Sequence, residues 1–309
     1  MAKLKDLVKM PEMLAGGHRL CPGCGAPHLF RLALRAAGPH SVICIATGCL
    51  EVSTTIYPYT AWRNSFIHSA FENSAATISG VEAGYRSLRR RGKLDTEFKF
   101  LAVGGDGGTY DIGLQSLSGA MERGHNMVYI CYDNEAYQNT GNQRSSSTPM
   151  GSNTSTTPTG SQSAGRRGER KDLTAIMAAH HIPFVAQATG FHWNDLYRKL
   201  EKAFNVDGPA FINILSPCVP GWKYSPELTM HYNQLAVDTC FWPIYEVDNG
   251  VWKLNRKPKE KLPVEEWLKG QGRFHHLFTP KNRYMLDELQ AEVDKRWDEL
   301  LERCGKKDQ

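Results

Sequence analysis

The sequence predicts an α/β fold in which a parallel β-sheet carries helices on both faces. Three observations support this fold class. Short apolar runs alternate with stretches of helical spacing between residues 41 and 215. Glycines and prolines separate these segments. Polar residues and cysteines follow several of the apolar runs directly, at the strand ends where open parallel sheets collect their ligands.

Five apolar runs are predicted to be buried strands, since each is short and is bounded by glycine or polar residues. They span residues 41–46, 98–103, 127–132, 183–188 and 210–215. Six stretches have helical spacing, and their ends carry helix signals such as Pro at the start, an acidic first turn or Gly after the last turn. They span residues 27–37, 70–91, 111–123, 172–180, 193–204 and 284–304.

Two stretches resist this assignment. Residues 144–170 have the Ser, Thr and Gly content of a flexible linker, but they follow a probable ligand motif directly, so we predict an ordered loop or lid for the first half. Residues 222–263 contain tryptophans among polar residues and prolines, without clear periodicity. We therefore divide the chain into an α/β domain, residues 1–220, and a C-terminal extension, residues 221–309. The tryptophans and the amphipathic last helix of this extension are predicted to contact another subunit.

The composition excludes several classes of function. The chain has 309 residues, of which 41% are hydrophobic and 22% charged, values typical of a globular protein. A net charge of +5 is too small to indicate a nucleic-acid partner, and no apolar stretch is long enough to cross a membrane. Residues 1–14 contain Lys, Asp and Pro where a signal-peptide core would stand, so we predict a cytoplasmic location. Eight cysteines there indicate metal or redox chemistry rather than disulfides.

The most informative stretch is GGDGG, residues 104–108, directly after a predicted strand. Gly105, Gly107 and Gly108 carry no Cβ, which allows a tight turn and close approach of a ligand to the backbone. Asp106 stands among them as a hard oxygen donor, and Asn134 follows the next predicted strand. Such oxygens suit a magnesium ion that also holds phosphate.

A GDG motif followed by Asn one strand–helix–strand later is typical of thiamine diphosphate sites. The alternative is a glycine-rich turn in another nucleotide-binding protein. The sequence NTGNQ, residues 139–143, favours the thiamine diphosphate site. The predicted helix start at Asp111 would add N–H groups for an anion.

Four cysteines could share one metal site. Cys21 and Cys24 form a CPGCG knuckle, and Cys49 and Cys218 each follow an apolar strand. Four thiolates bind either zinc or a [4Fe–4S] cluster, and the spacing alone leaves both open. The other cysteines lie inside strands or far along the tail and are predicted to be structural.

Three further charged residues stay without an assigned role. His68, just before the helix predicted from residue 70, and Glu72 would be one helical turn apart, so they could form a catalytic pair or a structural one. Glu51 is a similar case.

The motifs CPGCG, ATGCLEVS, GDGGTYDIG, DNEAYQNTGNQ and SPC occur in this order. Together they resemble the β subunits of the 2-oxoacid:ferredoxin oxidoreductases, and the resemblance covers nearly the whole chain. Pyruvate-type members are the most similar, and members that consume oxalate also fit. The resemblance implies a thiamine diphosphate-binding fold of the diphosphate-binding type.

The resemblance also implies roles for matching residues. It assigns a [4Fe–4S] cluster to Cys21, Cys24, Cys49 and Cys218. It assigns magnesium to Asp106, the side chain of Asn134 and the main-chain carbonyl of Ala136. Gly105 to Gly108 and Asn134 to Asn139, including Tyr137, would cradle the diphosphate. Asn139 would reach the substrate as a catalytic residue, and Cys49 would lie against both the thiamine and the cluster.

The implied reaction is oxidative decarboxylation of a 2-oxoacid. The thiazolium ring accepts the electron pair released with CO₂, and a low-potential cluster passes electrons singly to ferredoxin. Coenzyme A is the acyl acceptor in pyruvate-type members, whereas oxalate leaves no acyl group to transfer. Family members obtain the pyrimidine side of the site from a partner subunit and further clusters from a ferredoxin-like subunit, so a hetero-oligomer is expected.

Two alternatives stay open at this point. The first is a non-redox thiamine diphosphate lyase or decarboxylase subunit whose four cysteines hold structural zinc. The second is an electron-transfer subunit that has kept the thiamine motifs without using them.

Overall fold

The computed structural model describes residues 4–305, and its centre is a sheet of eight strands. The strands are β1 Ser41–Ala46, β2 Ser65–Ser69, β3 Lys99–Gly105, β4 Val128–Asp133, β5 Phe184–Thr189, β6 Ala210–Leu215, β7 Ile244–Asp248 and β8 Val251–Arg256. The α-helices are α1 Leu4–Lys9, α2 Ala26–Ala37, α3 Cys49–Thr54, α4 Ser74–Arg90, α5 Leu114–Glu122, α6 Leu173–Ala178, α7 Trp193–Ala203, α8 Val219–Trp222, α9 Thr229–Asp238, α10 Glu265–Leu268 and α11 Arg283–Arg303. A π-helix spans Gly107–Ile112, and 3₁₀ turns span Pro226–Leu228 and Gly272–Phe278.

The strand order is β2-β1-β3-β4-β6-β5-β7-β8. The first six strands of this order are parallel, and β7 and β8 complete one edge as an antiparallel hairpin. Strands β3, β4 and β6 lie side by side in the middle, so their carboxyl ends meet at one place. The predicted parallel α/β sheet is confirmed, with this antiparallel edge added.

Three strands were missed for identifiable reasons. Strand β2 is a short edge strand with partly exposed residues, so it lacks a continuous apolar run. Strands β7 and β8 flank Asn249-Gly250, both of which have positive φ, as a tight hairpin turn requires. That Asn-Gly signal was overlooked in a stretch predicted to be irregular.

Two helix starts also differ from prediction. The helix predicted from residue 70 begins at Ser74. The helix predicted from Asp111 begins instead as the π-helix at Gly107, directly after Asp106, and continues as α5. The helical N–H groups therefore follow the GDG turn itself rather than starting five residues later.

The C-terminal extension packs onto the sheet. The apolar face of α11, including Leu289, Val293 and Trp297, is buried against the same core as β4 and β6. Trp222 and Trp242 are completely buried within the chain, so neither is available to a partner as predicted. Because β7 and β8 continue the sheet of the first 220 residues, the two predicted regions share one sheet. The remaining surface of the extension stays a predicted subunit contact.

Candidate active site

The GDGG turn lies at the carboxyl end of β3, in the middle of the sheet. Gly107 packs so closely against the ring of Tyr137 that a Cβ would overlap it, and a Cβ on Gly108 would lie 2.9 Å from the Phe71 carbonyl oxygen. The Tyr137 hydroxyl donates a hydrogen bond to the Gly107 carbonyl at 2.8 Å. These glycines are needed because the following loop closes onto the turn.

Asp106 is almost completely buried at this turn, with 1% of its surface exposed. Its Oδ2 accepts a hydrogen bond from Ser145 Oγ at 2.5 Å, and its Oδ1 accepts one from the Asn134 N–H at 3.2 Å. Burial raises the pKa of Asp106 well above its ordinary value, and the neighbouring Asp133 carboxylate raises it further. A nearby cation would remove this cost of ionisation.

Three oxygen atoms face one another beside Asp106. The Asn134 side-chain oxygen lies 2.7 Å from the Ala136 carbonyl oxygen and 3.0 Å from Asp106 Oδ1. An amide turned by 180° would instead place its NH₂ group there and donate to both acceptors. The spacing also matches the separation of about 2.9 Å between adjacent oxygens around an octahedral magnesium ion, whose Mg–O distances are about 2.0–2.1 Å. The three residues predicted as magnesium ligands are thus brought together.

Within the described residues, neither Asp106 nor Asp133 forms an ion pair, but only Asp133 has an arginine, Arg170, as an electrostatic neighbour. Glu135 forms a buried ion pair with Arg273 at 2.5 Å and lies 3.6 Å from Arg170. Arg170 also lowers the pKa of Asp133, whereas burial raises it. Within residues 4–305, no arginine or lysine forms a salt bridge with Asp106. The residues present therefore fit a bound cation at Asp106.

The first half of the predicted lid is ordered, and its side chains donate hydrogen bonds to buried acceptors beneath the cleft. Ser147 Oγ donates to Asp133 Oδ2 at 2.6 Å, and Thr148 Oγ1 donates to the Glu135 carbonyl at 2.6 Å. Ser145 bonds Asp106 in the same way. None of these three residues lines the cleft, so the role of a lid over the site is wrong for this half of the loop.

The cleft in front of these oxygens is shallow. It is lined by Thr47, Gly48, Cys49, Phe71, Gly105, Asp106, Gly107, Gly108, Tyr132, Asn134, Ala136, Tyr137, Gln138, Asn139 and Thr140. The enclosed volume is about 30 Å³, which is room for a few water molecules. The predicted cofactor-binding and catalytic residues are brought together here, along an open cleft.

The four predicted thiol ligands also come together. The Cys21–Cys24 knuckle is closed by a hydrogen bond from the Cys24 N–H to the Cys21 carbonyl at 3.0 Å. The next residue, Gly25, donates its N–H to the Pro217 carbonyl at 3.4 Å, which brings the knuckle to Cys218. Thr229 Oγ1 donates to the Gly23 carbonyl at 2.5 Å from the other side.

The electrostatics of the thiols show that they are neighbours. Burial raises the pKa of Cys49 to about 12, and the nearby Cys24 and Cys21 thiols add to this. Burial likewise raises the pKa of Cys218 to about 12, with contributions from the other three thiols. A positively charged metal centre would reverse these shifts. In the described part of the chain, no three His, Cys, Asp or Glu side chains are already arranged to hold a single metal ion.

The unassigned charged residues are not arranged as predicted. His68 lies on β2, not on a helix, so the helical pair with Glu72 is wrong. Its Nε2 instead lies 2.7 Å from Thr47 Oγ1 and 3.6 Å from Glu51 Oε2. Glu51 also accepts a hydrogen bond from Thr55 Oγ1 at 2.7 Å. This group lies beside the cleft, since Thr47 lines it.

Sequence reasoning missed three residues that hold the site together. Trp222 Nε1 donates to the Asn134 carbonyl at 2.9 Å, while Arg273 and Arg170 balance Glu135 and Asp133. Arg170 ends the stretch predicted to be a linker or loop, and Arg273 lies between the irregular stretch and the last predicted helix, where no prediction was made. One available signal was the position of Arg273 among aromatic residues, which indicates that it is buried. A buried arginine requires an acidic partner.

Comparisons with known proteins show the family of this chain. The model of the thiamine pyrophosphate enzyme C-terminal TPP-binding domain matches residues 46–214. Pyruvate synthase subunit PorB of Thermotoga maritima is 52% identical over 291 residues, covering 92% of this chain and 90% of the relative. The subunit of the same name from Methanocaldococcus jannaschii is 54% identical over 287 residues, covering 92% and 95%.

A solved structure shows the same fold at lower identity. It is the 2-oxoglutarate:ferredoxin oxidoreductase from Magnetococcus marinus, with a TM-score of 0.54 and 19% identity. The match covers 89% of this chain and 96% of that chain. Among the residues that the structure describes, no helix is long and apolar enough to cross a membrane.

Proposed function

The chain belongs to the family of β subunits of thiamine diphosphate-dependent 2-oxoacid:ferredoxin oxidoreductases, and from this membership we propose that it binds magnesium, thiamine diphosphate and a [4Fe–4S] cluster to oxidise pyruvate. Thiamine diphosphate supplies a ring that accepts the electron pair released with CO₂, and an iron–sulfur cluster supplies one-electron transfer.

The observation that carries the proposal is the convergence of three oxygens. The Asn134 side-chain oxygen lies 2.7 Å from the Ala136 carbonyl oxygen and 3.0 Å from Asp106 Oδ1. Magnesium takes few ligands from protein and the rest from phosphate and water, so three protein oxygens with an open cleft in front suit magnesium that bridges to a diphosphate. The lack of an ion-pair partner for the buried Asp106 within residues 4–305 supports the same assignment.

The glycines and the following loop would hold the diphosphate. The helical N–H groups that begin at Gly107 face an anion favourably, because the start of a helix carries partial positive charge. Gly105, Gly108 and Tyr137 line the same cleft. Asn139 is exposed at its rim, where it would contact the 2-oxoacid.

The thiols would hold the cluster beside the thiamine. Cys49 lines the cleft and is also an electrostatic neighbour of Cys21 and Cys24, which supports a role for Cys49 between the two cofactors. Cys218 completes the set of four. Thiolate ligands suit an iron–sulfur cluster, and the alternative of structural zinc would need the same four residues.

The partners follow from the incomplete cleft. The cleft is open to solvent, so we propose that another subunit covers it and supplies the pyrimidine side of the site. A ferredoxin-like subunit would receive the electrons and pass them to ferredoxin, with coenzyme A as the acyl acceptor. The surface of residues 221–305 is proposed to contribute to these contacts. Seven cysteines of the described residues, all except Cys304, form no disulfide, which is consistent with a cytoplasmic location.

Pyruvate is favoured as substrate by the names of the relatives and by the polar approach to the cleft. Gln138 packs against Gly221 at this approach, where a branched acyl chain would prefer apolar groups. Oxalate is small and polar enough to fit the same approach.

The proposal is tested with the anaerobically purified complex of this chain and its partner subunits. We expect pyruvate to drive reduction of ferredoxin in a reaction that requires coenzyme A, magnesium and thiamine diphosphate. Faster turnover of oxalate without coenzyme A would change the substrate while keeping the reaction class. Decarboxylation of a 2-oxoacid without any reduction of ferredoxin would contradict the redox function.

A further inference from the structure

A buried ion pair lies directly behind the proposed magnesium site, between the loop at Glu135 and the distant residue Arg273. We propose that Arg273 is a positioning residue for magnesium and thiamine diphosphate. It fixes the turn that presents Asn134 and Ala136, and it does so through Glu135. This inference rests on the proposed cofactor site and extends it to residues that do not touch the cleft.

The turn at Glu135 needs outside support. Glu135 has φ 65°, in the left-handed region that side chains other than glycine seldom adopt. It stands between Asn134 and Ala136, so its conformation directs both neighbouring oxygens toward Asp106. Left-handed residues of this kind persist where surrounding contacts hold them in place.

Those contacts come from Arg273, Asp133 and Thr148. The Glu135 side chain is completely buried, and its Oε2 accepts a hydrogen bond from Arg273 Nη2 at 2.5 Å. The Glu135 N–H is bonded separately to Asp133 Oδ1 at 3.0 Å, and its carbonyl to Thr148 Oγ1 at 2.6 Å. The side chain, N–H and carbonyl of Glu135 are therefore each bonded, and the arginine holds the side chain.

Arg273 is itself rigidly placed. It is 3% exposed, and its guanidinium carbon lies 4.1 Å from the centre of a Trp222 ring and 4.7 Å from that of Phe274. Its Nε donates to Gln271 Oε1 at 2.9 Å. Because arginine has a planar fork of donors, it can stack on Trp222 and bond Glu135 at the same time.

Trp222 contacts both Arg273 and the backbone of Asn134. Its Nε1 donates to the Asn134 carbonyl at 2.9 Å, next to the Glu135 residue that Arg273 holds. The same indole is the surface on which Arg273 stacks. The contacts around the turn thus form a closed ring of Asn134, Glu135, Arg273 and Trp222. Replacing Arg273 should therefore change the position of Asn134.

Loss of Arg273 should weaken cofactor binding without removing any ligand. Partners that orient metal ligands typically change metal affinity by about 10–100-fold when mutated. Arg273 and Glu135 do not line the cleft, so their contribution must act through the position of Asn134 and Ala136. Since both substitutions release the same turn, their effects should not add.

The test measures the affinity of the intact complex for thiamine diphosphate in the presence of magnesium, by quenching of tryptophan fluorescence. The variants are Arg273→Gln, Glu135→Gln and the double variant, with Arg273→Lys as the conservative replacement. Arg283→Gln is the matched control, since Arg283 is an exposed arginine of the same region that pairs with Glu265. Circular dichroism and thermal unfolding show which variants are folded.

We expect Kd to rise about 10–100-fold in Arg273→Gln and in Glu135→Gln. The double variant should bind no more weakly than the weaker single variant. Arg273→Lys, which keeps the charge but loses the fork, should fall between wild type and Arg273→Gln, and the control should match wild type. At saturating magnesium and thiamine diphosphate, kcat should recover toward the wild-type value.

Either of two results would overturn the inference. One is an unchanged Kd in folded Arg273→Gln, or in folded Arg273→Lys and Glu135→Gln if the first variant does not fold. The other is a double variant whose loss equals the product of the two single losses. If the wild-type complex itself does not bind magnesium and thiamine diphosphate, the proposed cofactor site fails instead, and this comparison identifies that case separately.

Discussion

Replacing Asp106 with asparagine separates two effects of the buried carboxylate: the free energy it costs in the cofactor-free protein and the stabilisation it gives through the bound cofactor. The asparagine can keep both local contacts: its oxygen can accept from the Asn134 N–H, and its amide can donate to Ser145 Oγ. The substitution removes a buried charge whose ionisation is opposed by burial and by Asp133. We therefore expect Asp106→Asn to be at least as stable as wild type when both lack cofactor.

The same substitution should abolish stabilisation by the cofactor. A ligand present at 100 times its Kd raises the free energy of unfolding by about 2.7 kcal/mol. In chains of a few hundred residues, 1 kcal/mol corresponds to about 2–4 °C in Tm, so wild type should gain about 5–10 °C. The Tm of Asp106→Asn should not rise with the cofactor, because the proposed magnesium site would lose its only carboxylate and keep the neutral oxygens of Asn134 and Ala136.

The assay is thermal unfolding of the complex, with and without magnesium and thiamine diphosphate. Asp207→Asn is the control, since Asp207 is exposed and lies outside the cleft. It should show the full wild-type gain. A gain of the same size in Asp106→Asn would refute the assignment of Asp106 to the cofactor cation.

Three other outcomes are expected. Ser147→Ala removes a donor from the buried Asp133 carboxylate, so urea denaturation should show a loss of about 1.5–3 kcal/mol; a loss below about 0.5 kcal/mol would contradict that bond. Asn139→Ala should lower kcat about 100-fold at saturating thiamine diphosphate, because Asn139 would contact the substrate as well as the diphosphate, and an unchanged kcat with a raised Kd would restrict Asn139 to cofactor binding. Burial lowers the pKa of Lys199 to about 8, against the Asp195 carboxylate that raises it. The unfolded chain therefore binds more protons between about pH 8 and 10.5, so wild-type stability relative to Lys199→Met should rise across that window by up to about 3 kcal/mol, and a flat difference would refute the shift.

Much of the central fold could be predicted from sequence because its signals are local. The five predicted strands are continuous apolar runs with both faces buried, which is the strongest pattern that a short segment can carry. Strand β2 was missed because an edge strand has partly exposed residues. The hairpin of β7 and β8 carried a usable turn signal in Asn249-Gly250, which was overlooked.

The candidate ligands could be predicted because each follows a strand. Asp106 follows β3, Asn134 follows β4, Cys49 lies three residues after β1, and Cys218 lies three residues after β6. Parallel strands bring such positions to one edge without further information. Their roles as ligands stay predictions, while their proximity is a property of the fold.

The support behind the ligands could not be predicted in this way. Arg273 and Glu135 are 138 residues apart, and no local sequence pattern indicates which arginine forms an ion pair with which carboxylate. The π-helix at Gly107 depends on how Gly108 packs against Phe71 from another segment. Tertiary contacts of this kind decide the geometry of the site, whereas the strand ends decide only its location.

The most direct test of the redox account is a count of iron and acid-labile sulfide in two anaerobically prepared complexes. One contains the wild-type chain, and the other contains the double variant Cys21→Ser, Cys24→Ser. Because partner subunits are expected to carry clusters of their own, the difference in iron and sulfide content between the two complexes is the informative quantity. The account predicts a loss of about four irons and four sulfides per chain, together with loss of one reduced-cluster signal in electron paramagnetic resonance. Loss of one zinc per chain, with iron and sulfide unchanged, would contradict it and would assign the four thiols to a structural zinc site.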